Sequence, residues 1–250
     1  MNITVIGCSG TFPGPDSPCS SYLFEQDGFR LLVDAGNGST GLLQREVSLL
    51  DIDAVAISHL HGDHYLDLVT YTYARRYHPA GDPGLLPVHG PSGTADHLAG
   101  AFGSARIGNL LDEVYTFETL KDGGDSEIGP FRVETLRVNH PVETYAMRIT
   151  AGGHTVAYSA DTGVCDAVVQ IARDSEIFFC ESSYHDGDDN PPDIHLTGSE
   201  AGRAAESAGA RRLVLTHLVP WGDPMRSVGE ASSTYSGPIE TAFTGAKFEL

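Results

Sequence analysis

The sequence predicts a layered α/β (α+β) domain, and three observations predict it. Hydrophobic periodicity switches repeatedly between two residues, the strand repeat, and 3.6, the helical repeat. The strand-like segments of the first third end in loops rich in Gly, Asp and His. Hydrophobic residues make up 40% of the 250 positions, enough apolar material to bury a sizeable core.

The elements follow in order. Strands are expected at Asn2 to Gly7, Ser21 to Glu25, Phe29 to Asp34 and Ala54 to Ser58, the middle two joined as a hairpin across Gln26-Asp27-Gly28. Leu66, Val69, Tyr73 and Tyr77 recur at helical spacing, so a helix runs from about Tyr65 to Tyr77 and stops at His78-Pro79. A weaker helix covers Thr94 to Phe102. Alternation returns at Val114 to Thr119 and Gly129 to Val138, with Gly123-Gly124 as a turn between them. Tyr145 to Thr150 and His154 to Ser159 form a second hairpin across Ala151-Gly152-Gly153.

Val164, Val168 and Ile171 predict a helix before a buried-type strand at Glu176 to Cys180, and the acidic stretch Asp186 to Asp193 is a surface loop. Thr197-Gly198-Ser199-Glu200 has capping-box spacing. Ala201, Ala204, Ala205 and Ala208 share one face behind it, Gly209 stands where that helix ends, and a strand follows at Arg212 to Thr216. The small polar run Ser227 to Ser236 is expected to be mobile, and Ile239 to Phe248 to add an edge strand. No fixed-period repeat or linker-like break interrupts the chain, so residues 1–250 read as one domain.

Composition excludes several classes. Lys plus Arg number 15 against 34 Asp plus Glu, a formal net charge of −19 that disfavours nucleic acid as a partner. No window approaches the roughly 18 consecutive apolar residues of a membrane helix, and Met1 leads straight into a strand, so no membrane partner and a cytoplasmic address are expected. Cys8, Cys19, Cys165 and Cys180 are too few and too irregularly spaced for a disulfide scaffold and read as small buried hydrophobes. The pair Arg75-Arg76 reads as solvated charge at a helix C-terminus.

The chemistry concentrates after the strand at Ala54 to Ser58. His59-Leu60-His61-Gly62-Asp63-His64 places four metal-competent side chains within six positions, with Gly62 to permit a sharp turn. Ligands on a tight loop converge on one ion, while Asp63 and His64 point elsewhere and can serve a second. Two ions need more ligands than one loop supplies. His140, Asp161 and His217 each follow a predicted strand, at the carboxyl end where an open sheet presents ligands.

His-Leu-His-Gly-Asp-His, a lone His140, Ser159-Ala160-Asp161-Thr162-Gly163 and Leu215-Thr216-His217-Leu218 together resemble the ordered motifs of the metallo-β-lactamase superfamily over almost the whole chain. The resemblance implies a four-layer αββα sandwich holding two Zn2+, with Mn2+ or Fe2+ as admissible substitutes. It implies His59, His61 and His140 on one ion, Asp63, His64 and His217 on the other, Asp161 bridging both, and a metal-bridging hydroxide as nucleophile.

Within the superfamily, His195-Leu196-Thr197 is similar to the extra histidine motif of the RNase Z-like phosphodiesterase branch, with Glu181 matching the carboxylate that orients this histidine. Gly7-Cys8-Ser9-Gly10, Pro13 to Pro18, Arg76-Tyr77-His78-Pro79 and Pro191-Pro192-Asp193 look shared with actinobacterial cyclic-AMP phosphodiesterases. The tRNA-gripping arm of the endonuclease has no counterpart, since only 20 residues separate His140 from Asp161. The first-ranked activity is therefore hydrolysis of a small phosphodiester, 3′,5′-cyclic AMP foremost, with Asp63, His195 and Glu181 carrying catalysis. Alternatives are tRNA 3′-end cleavage, a thioesterase or lactonase that needs no His195 proton donor, and a non-catalytic metal binder. Asp34 is expected to fix a ligand imidazole, Tyr145 and Ser9 are candidate pocket residues, and a homodimer is compatible with the sequence.

Overall fold

The structure is a computed structural model that describes residues 1–81, 83–103 and 108–250. Alternating apolar residues build β1 (Asn2–Gly7), β2 (Ser21–Gln26) and β3 (Phe29–Val33), the last two joined as the expected hairpin. The short helix α1 (Ser39–Leu43) precedes β4 (Ala54–Ala56), which ends two residues earlier than its apolar run suggests. The single helix anticipated near Tyr65 is two, α2 (Gly62–Tyr65) and α3 (Asp67–Arg76). Then come β5 (Leu86–Gly90), α4 (Thr94–Ala101), α5 (Gly108–Asp112) and β6 (Tyr115–Thr119).

The second half opens with β7 (Gly124–Ile128), β8 (Phe131–Arg137), β9 (Tyr145–Ala151) and β10 (His154–Tyr158). It continues through α6 (Asp166–Ala172), β11 (Ile177–Glu181), α7 (Gly198–Ala208), β12 (Leu213–Thr216), α8 (Pro224–Ser232), β13 (Ile239–Thr241) and β14 (Lys247–Glu249). One mixed sheet has the order β14-β1-β2-β3-β4-β5-β6, the other β13-β12-β11-β10-β9-β8-β7. Ile3, Val5, Leu31 and Val33 of the first sheet meet Phe131, Val133, Met147, Ile149 and Phe179 of the second in a shared core. Leu68, Tyr71 and Leu98 of α3 and α4 cover the outer face of the first sheet, and α6, α7 and α8 cover that of the second. The result is the αββα sandwich.

Several expectations need correction. The stretch from Ser227 to Ser236 is no mobile tail: most of it is α8, started by the Asp223 side chain accepting the Met225 N–H and by Pro224 in the first turn. Its small residues are there for close approach. A Cβ on Gly198 would lie 2.4 Å from the Ser227 carbonyl oxygen and one on Gly202 2.6 Å from that of Ala231, so α7 and α8 touch through backbone. Ile239 to Phe248 is two strands, one on each sheet; the turn at Gly123-Gly124 is present, the Gly124 N–H bonding the Lys121 carbonyl at 2.9 Å, but it leads into a strand not expected from the sequence, β7.

Arg75 is buried, its guanidinium donating to the carbonyls of Leu49, Ile52 and Gly84, so it is a structural tie and not solvated charge. Cys165 is partly exposed where the other three cysteines are buried, and Gly62 begins a helix without a left-handed backbone. The capping box at Thr197 and Glu200 is present as expected. No helix among the described residues is long and apolar enough to cross a membrane.

Candidate metal centre

The site lies at the carboxyl ends of β3, β4, β10, β11 and β12, where parallel strands deliver their loops to one rim. At three of these ends a non-glycine residue turns out of the sheet with left-handed backbone: Asp34 (φ 59°), Ala160 (φ 52°) and His217 (φ 55°). Such conformations persist only where the surroundings over-determine them, and they gather at functional sites.

All seven residues singled out as metal ligands meet here. His59, His61, His140 and Asp161 form one group, Asp63, His64, Asp161 and His217 a second, each with its donor atoms within 4.8 Å of one another. In the first, His61 Nδ1 lies 3.2 Å from His59 Nε2 and 3.1 Å from His140 Nε2, with Asp161 Oδ2 3.6 Å from His59 Nε2. In the second, His64 Nε2 lies 3.3 Å from His217 Nε2 and 3.2 Å from Asp161 Oδ1, and Asp63 Oδ2 lies 3.1 Å from His217 Nε2.

These separations test whether a cation fits. Four donors placed tetrahedrally about 2.0–2.1 Å from an ion are about 3.3 Å apart, which is the spacing observed. Asp161 gives one oxygen to each group, and its buried Oδ1 has no hydrogen-bond partner. The donor set therefore fits two divalent cations sharing one carboxylate. Sheet one supplies His59, His61, Asp63 and His64; sheet two supplies His140, Asp161 and His217.

Hydrogen bonds behind the cluster fix the free nitrogen of four imidazoles. The Ser58 hydroxyl donates to Asp34 Oδ2 at 2.8 Å, so His59 Nδ1–H donates to Ser58 Oγ at 3.1 Å. The Ser183 hydroxyl donates to the His217 carbonyl at 2.7 Å, so His217 Nδ1–H donates to Ser183 Oγ at 2.7 Å. His64 Nδ1–H donates to Asp34 Oδ2 at 2.8 Å and His140 Nδ1–H to the Ile194 carbonyl at 3.0 Å. In His59, His140 and His217 this leaves Nε2 with its lone pair toward the donor group, and in His64 it leaves Nε2 facing that group. Asp34, wholly buried, also accepts from the Ser58 N–H at 2.7 Å and the Tyr158 hydroxyl at 2.8 Å, so one carboxylate serves imidazoles of both groups.

The electrostatics agree. Burial, with the neighbouring imidazoles, holds His59 well below the ordinary histidine range, and burial lowers His61 and His140 as well. These rings stay neutral and able to coordinate. Burial opposes ionisation of Asp161 and Asp63, but the imidazoles of His217 and His64 outweigh it and hold both carboxyls well below their usual range. Burial also opposes charge on His64, yet Asp161 and Asp34 push it up, which marks the second donor group as a place that favours positive charge.

His195 stands beside this centre, its ring 5.6 Å from His140 and 5.3 Å from His217. Its Nδ1 is held by Glu181 Oε1 at 2.9 Å, and Glu181 outweighs burial to push it up to about 9. Glu181, wholly buried, also accepts the N–H groups of Thr162 (2.7 Å), Ser183 (3.3 Å) and Leu196 (3.3 Å), so it orders three loops at once. His195 borders a cavity of about 610 Å³ shared with Thr11, Tyr184, His185, Trp221 and Arg226.

Sequence reasoning missed Ser58, Ser183, Tyr158 and the Thr11 N–H, which donates to Asp63 Oδ2 at 2.9 Å. Ser58 directly precedes the histidine motif and could have been suspected; the others carry no local signal. His185, which belongs to no motif in the sequence, also borders the cavity. Ser9 and Tyr145 do not border it: Ser9 bonds to the Ser17 carbonyl, and Tyr145 to Glu143.

Fold and site together define a metallo-hydrolase of the metallo-β-lactamase fold. The family model for the beta-lactamase superfamily domain matches residues 29–218, and the chain belongs to that superfamily. The mycobacterial protein Rv1339 of Mycobacterium tuberculosis is 39% identical, covering 100% of this chain and 92% of that one. The Bacillus subtilis protein named "Probable metallo-hydrolase YhfI" is 33% identical over 100% of both chains, and its crystal structure superposes with a TM-score of 0.88 at 31% identity over 99% of both. A ribonuclease Z from Myxococcus xanthus is 26% identical, covering 100% of this chain and 98% of that one.

Proposed function

We propose that this enzyme hydrolyses a small phosphodiester, 3′,5′-cyclic AMP foremost, with His59, His61, His140 and Asp161 holding one Zn2+ and Asp63, His64, His217 and Asp161 the other. The observation that carries the reading is His195, backed by Glu181, standing between the two donor groups and a cavity within the roughly 300–1,000 Å³ range of small-molecule sites. Two bound divalent cations supply charge neutralisation at the phosphate and activation of water near neutral pH.

The chain's own residues do the rest. His195 Nδ1 is committed to Glu181, which leaves Nε2 to protonate the departing alkoxide, a role worth about 10² to 10⁴ in rate. Glu181 is a positioning residue: it keeps the His195 ring in place and ties it to the loops carrying Asp161 and Ser183. Asp63 joins the second donor group to the Thr11 loop that borders the cavity. A thioester or lactone would need no such proton donor.

The full-length likeness to a ribonuclease Z supports tRNA 3′-end cleavage as the second reading, against which stand the net charge of −19 and the short His140 to Asp161 interval. Steady-state turnover of cyclic AMP, cyclic GMP, an aryl phosphodiester and a 3′-extended tRNA by one purified batch ranks the two, and preference for the tRNA overturns the ranking. His195→Ala is expected to keep its metal content and lose about 10² to 10⁴ in kcat. Loss of metal in that variant overturns the proton-donor role.

A further inference from the structure

Trp221 is the only tryptophan of the chain, and it is 73% exposed. Phe12, 37% exposed, stacks on it with ring centroids 4.8 Å apart and planes 29° from parallel. Trp221 borders the same cavity as His195. Both rings are held to the metal centre by backbone. Thr11, next to Phe12, donates its N–H to Asp63, and the Gly10 N–H bonds the carbonyl of Leu218, the residue after His217, at 3.1 Å. The Gly222 N–H closes a turn onto the Val219 carbonyl at 2.8 Å, and Asp223 caps α8 immediately beyond, so Trp221 sits on a fixed corner.

The charges bordering the cavity say what else it can hold. Among the described residues its one arginine, Arg226, is already bonded to Asp188 at 2.9 Å, Glu230 at 3.0 Å and the Asp186 carbonyl, while Asp223 adds negative charge beside His185 and His195. A second phosphate is disfavoured there; a flat uncharged group is not.

We propose that the Phe12–Trp221 pair is a stacking platform for the nucleobase of the substrate, which makes nucleotide phosphodiesters the preferred class. This rests on the phosphodiesterase reading above. Aromatic platforms take any base because every base has a π face, and losing one such contact weakens binding about tenfold to a hundredfold.

The lone tryptophan is its own probe. In zinc-supplied protein, AMP is expected to quench Trp221 fluorescence saturably while ribose 5-phosphate does not. Trp221→Ala should raise KM for cyclic AMP about tenfold to a hundredfold with a far smaller change in kcat, and Trp221→Phe should restore most of the loss. Calorimetric binding of AMP without any fluorescence change, or an unaltered KM in Trp221→Ala, overturns the platform. Quenching by a short single-stranded RNA but not by AMP overturns its assignment to a mononucleotide. Absence of phosphodiester turnover in the wild type sinks the functional reading alone, because the AMP titration still decides the platform.

Discussion

Asp34→Asn isolates the carboxylate that stands behind both donor groups. In the wild type its two oxygens accept four hydrogen bonds: from the Ser58 N–H on Oδ1, and from the Ser58 hydroxyl, His64 Nδ1 and the Tyr158 hydroxyl on Oδ2. Asparagine has the same shape but one oxygen and one NH2, so in either orientation the amide faces at least one donor. The cheaper orientation keeps its oxygen toward the three donors and strands the Ser58 N–H. An unpaired buried donor costs about 1–3 kcal/mol. For a chain of this size each kcal/mol lowers Tm by about 2–4 °C, so the metal-free variant should melt about 2–12 °C below wild type. His64 also loses its carboxylate support, which should weaken metal binding about 10- to 100-fold. Thermal denaturation in chelator reads the first effect and competition with a chromophoric zinc chelator reads the second. A variant with wild-type Tm and wild-type zinc affinity would refute the hub argument.

Asp161→Ala removes an oxygen from each donor group at once, so elemental analysis should find fewer than two metal equivalents per chain; two retained equivalents would sink the bridge. Burial pushes Tyr71 up to about 12 and Tyr22, Tyr115 and Tyr158 above the ordinary tyrosine range. A phenol harder to ionise in the folded chain contributes stability that is complete below about pH 10 and is lost as pH rises, because the unfolded chain ionises first. Tm should fall above about pH 10, and these four phenolates should appear in absorbance only on unfolding. Ionisation of all ten tyrosines near pH 10 with native circular dichroism would contradict this.

The site was more legible than parts of the fold. His59, His61, Asp63 and His64 signal themselves because four ligands share one loop, and His140, Asp161 and His217 because each follows a stretch with the apolar rhythm of a strand. Strand β5 escaped because Pro87 and Gly90 interrupt a short stretch, and β7 because Asp125, Ser126 and Glu127 give an edge strand no apolar rhythm. Helix α8 escaped for a different reason. Ser227, Gly229, Ala231 and Ser232 look like a loosely structured run, yet smallness is what lets α8 lie against Gly198 and Gly202 of α7. The contacts of Ser183 and Tyr158 are tertiary: only folding brings Ser183 onto the His217 imidazole and Tyr158 onto the Asp34 carboxylate.

The pairing of β1 with β14 sets Asn2 opposite Glu249, so β1 is synthesised long before its outer neighbour. Strands β1 to β6 can assemble from the first half, but until then they present an open edge and an uncovered inner face. Closure over so long an interval is slow, and open edges recruit other chains. Nascent polypeptide stalled before β14 is therefore the species most prone to self-association, and slower, cooler expression should favour recovery of the finished enzyme.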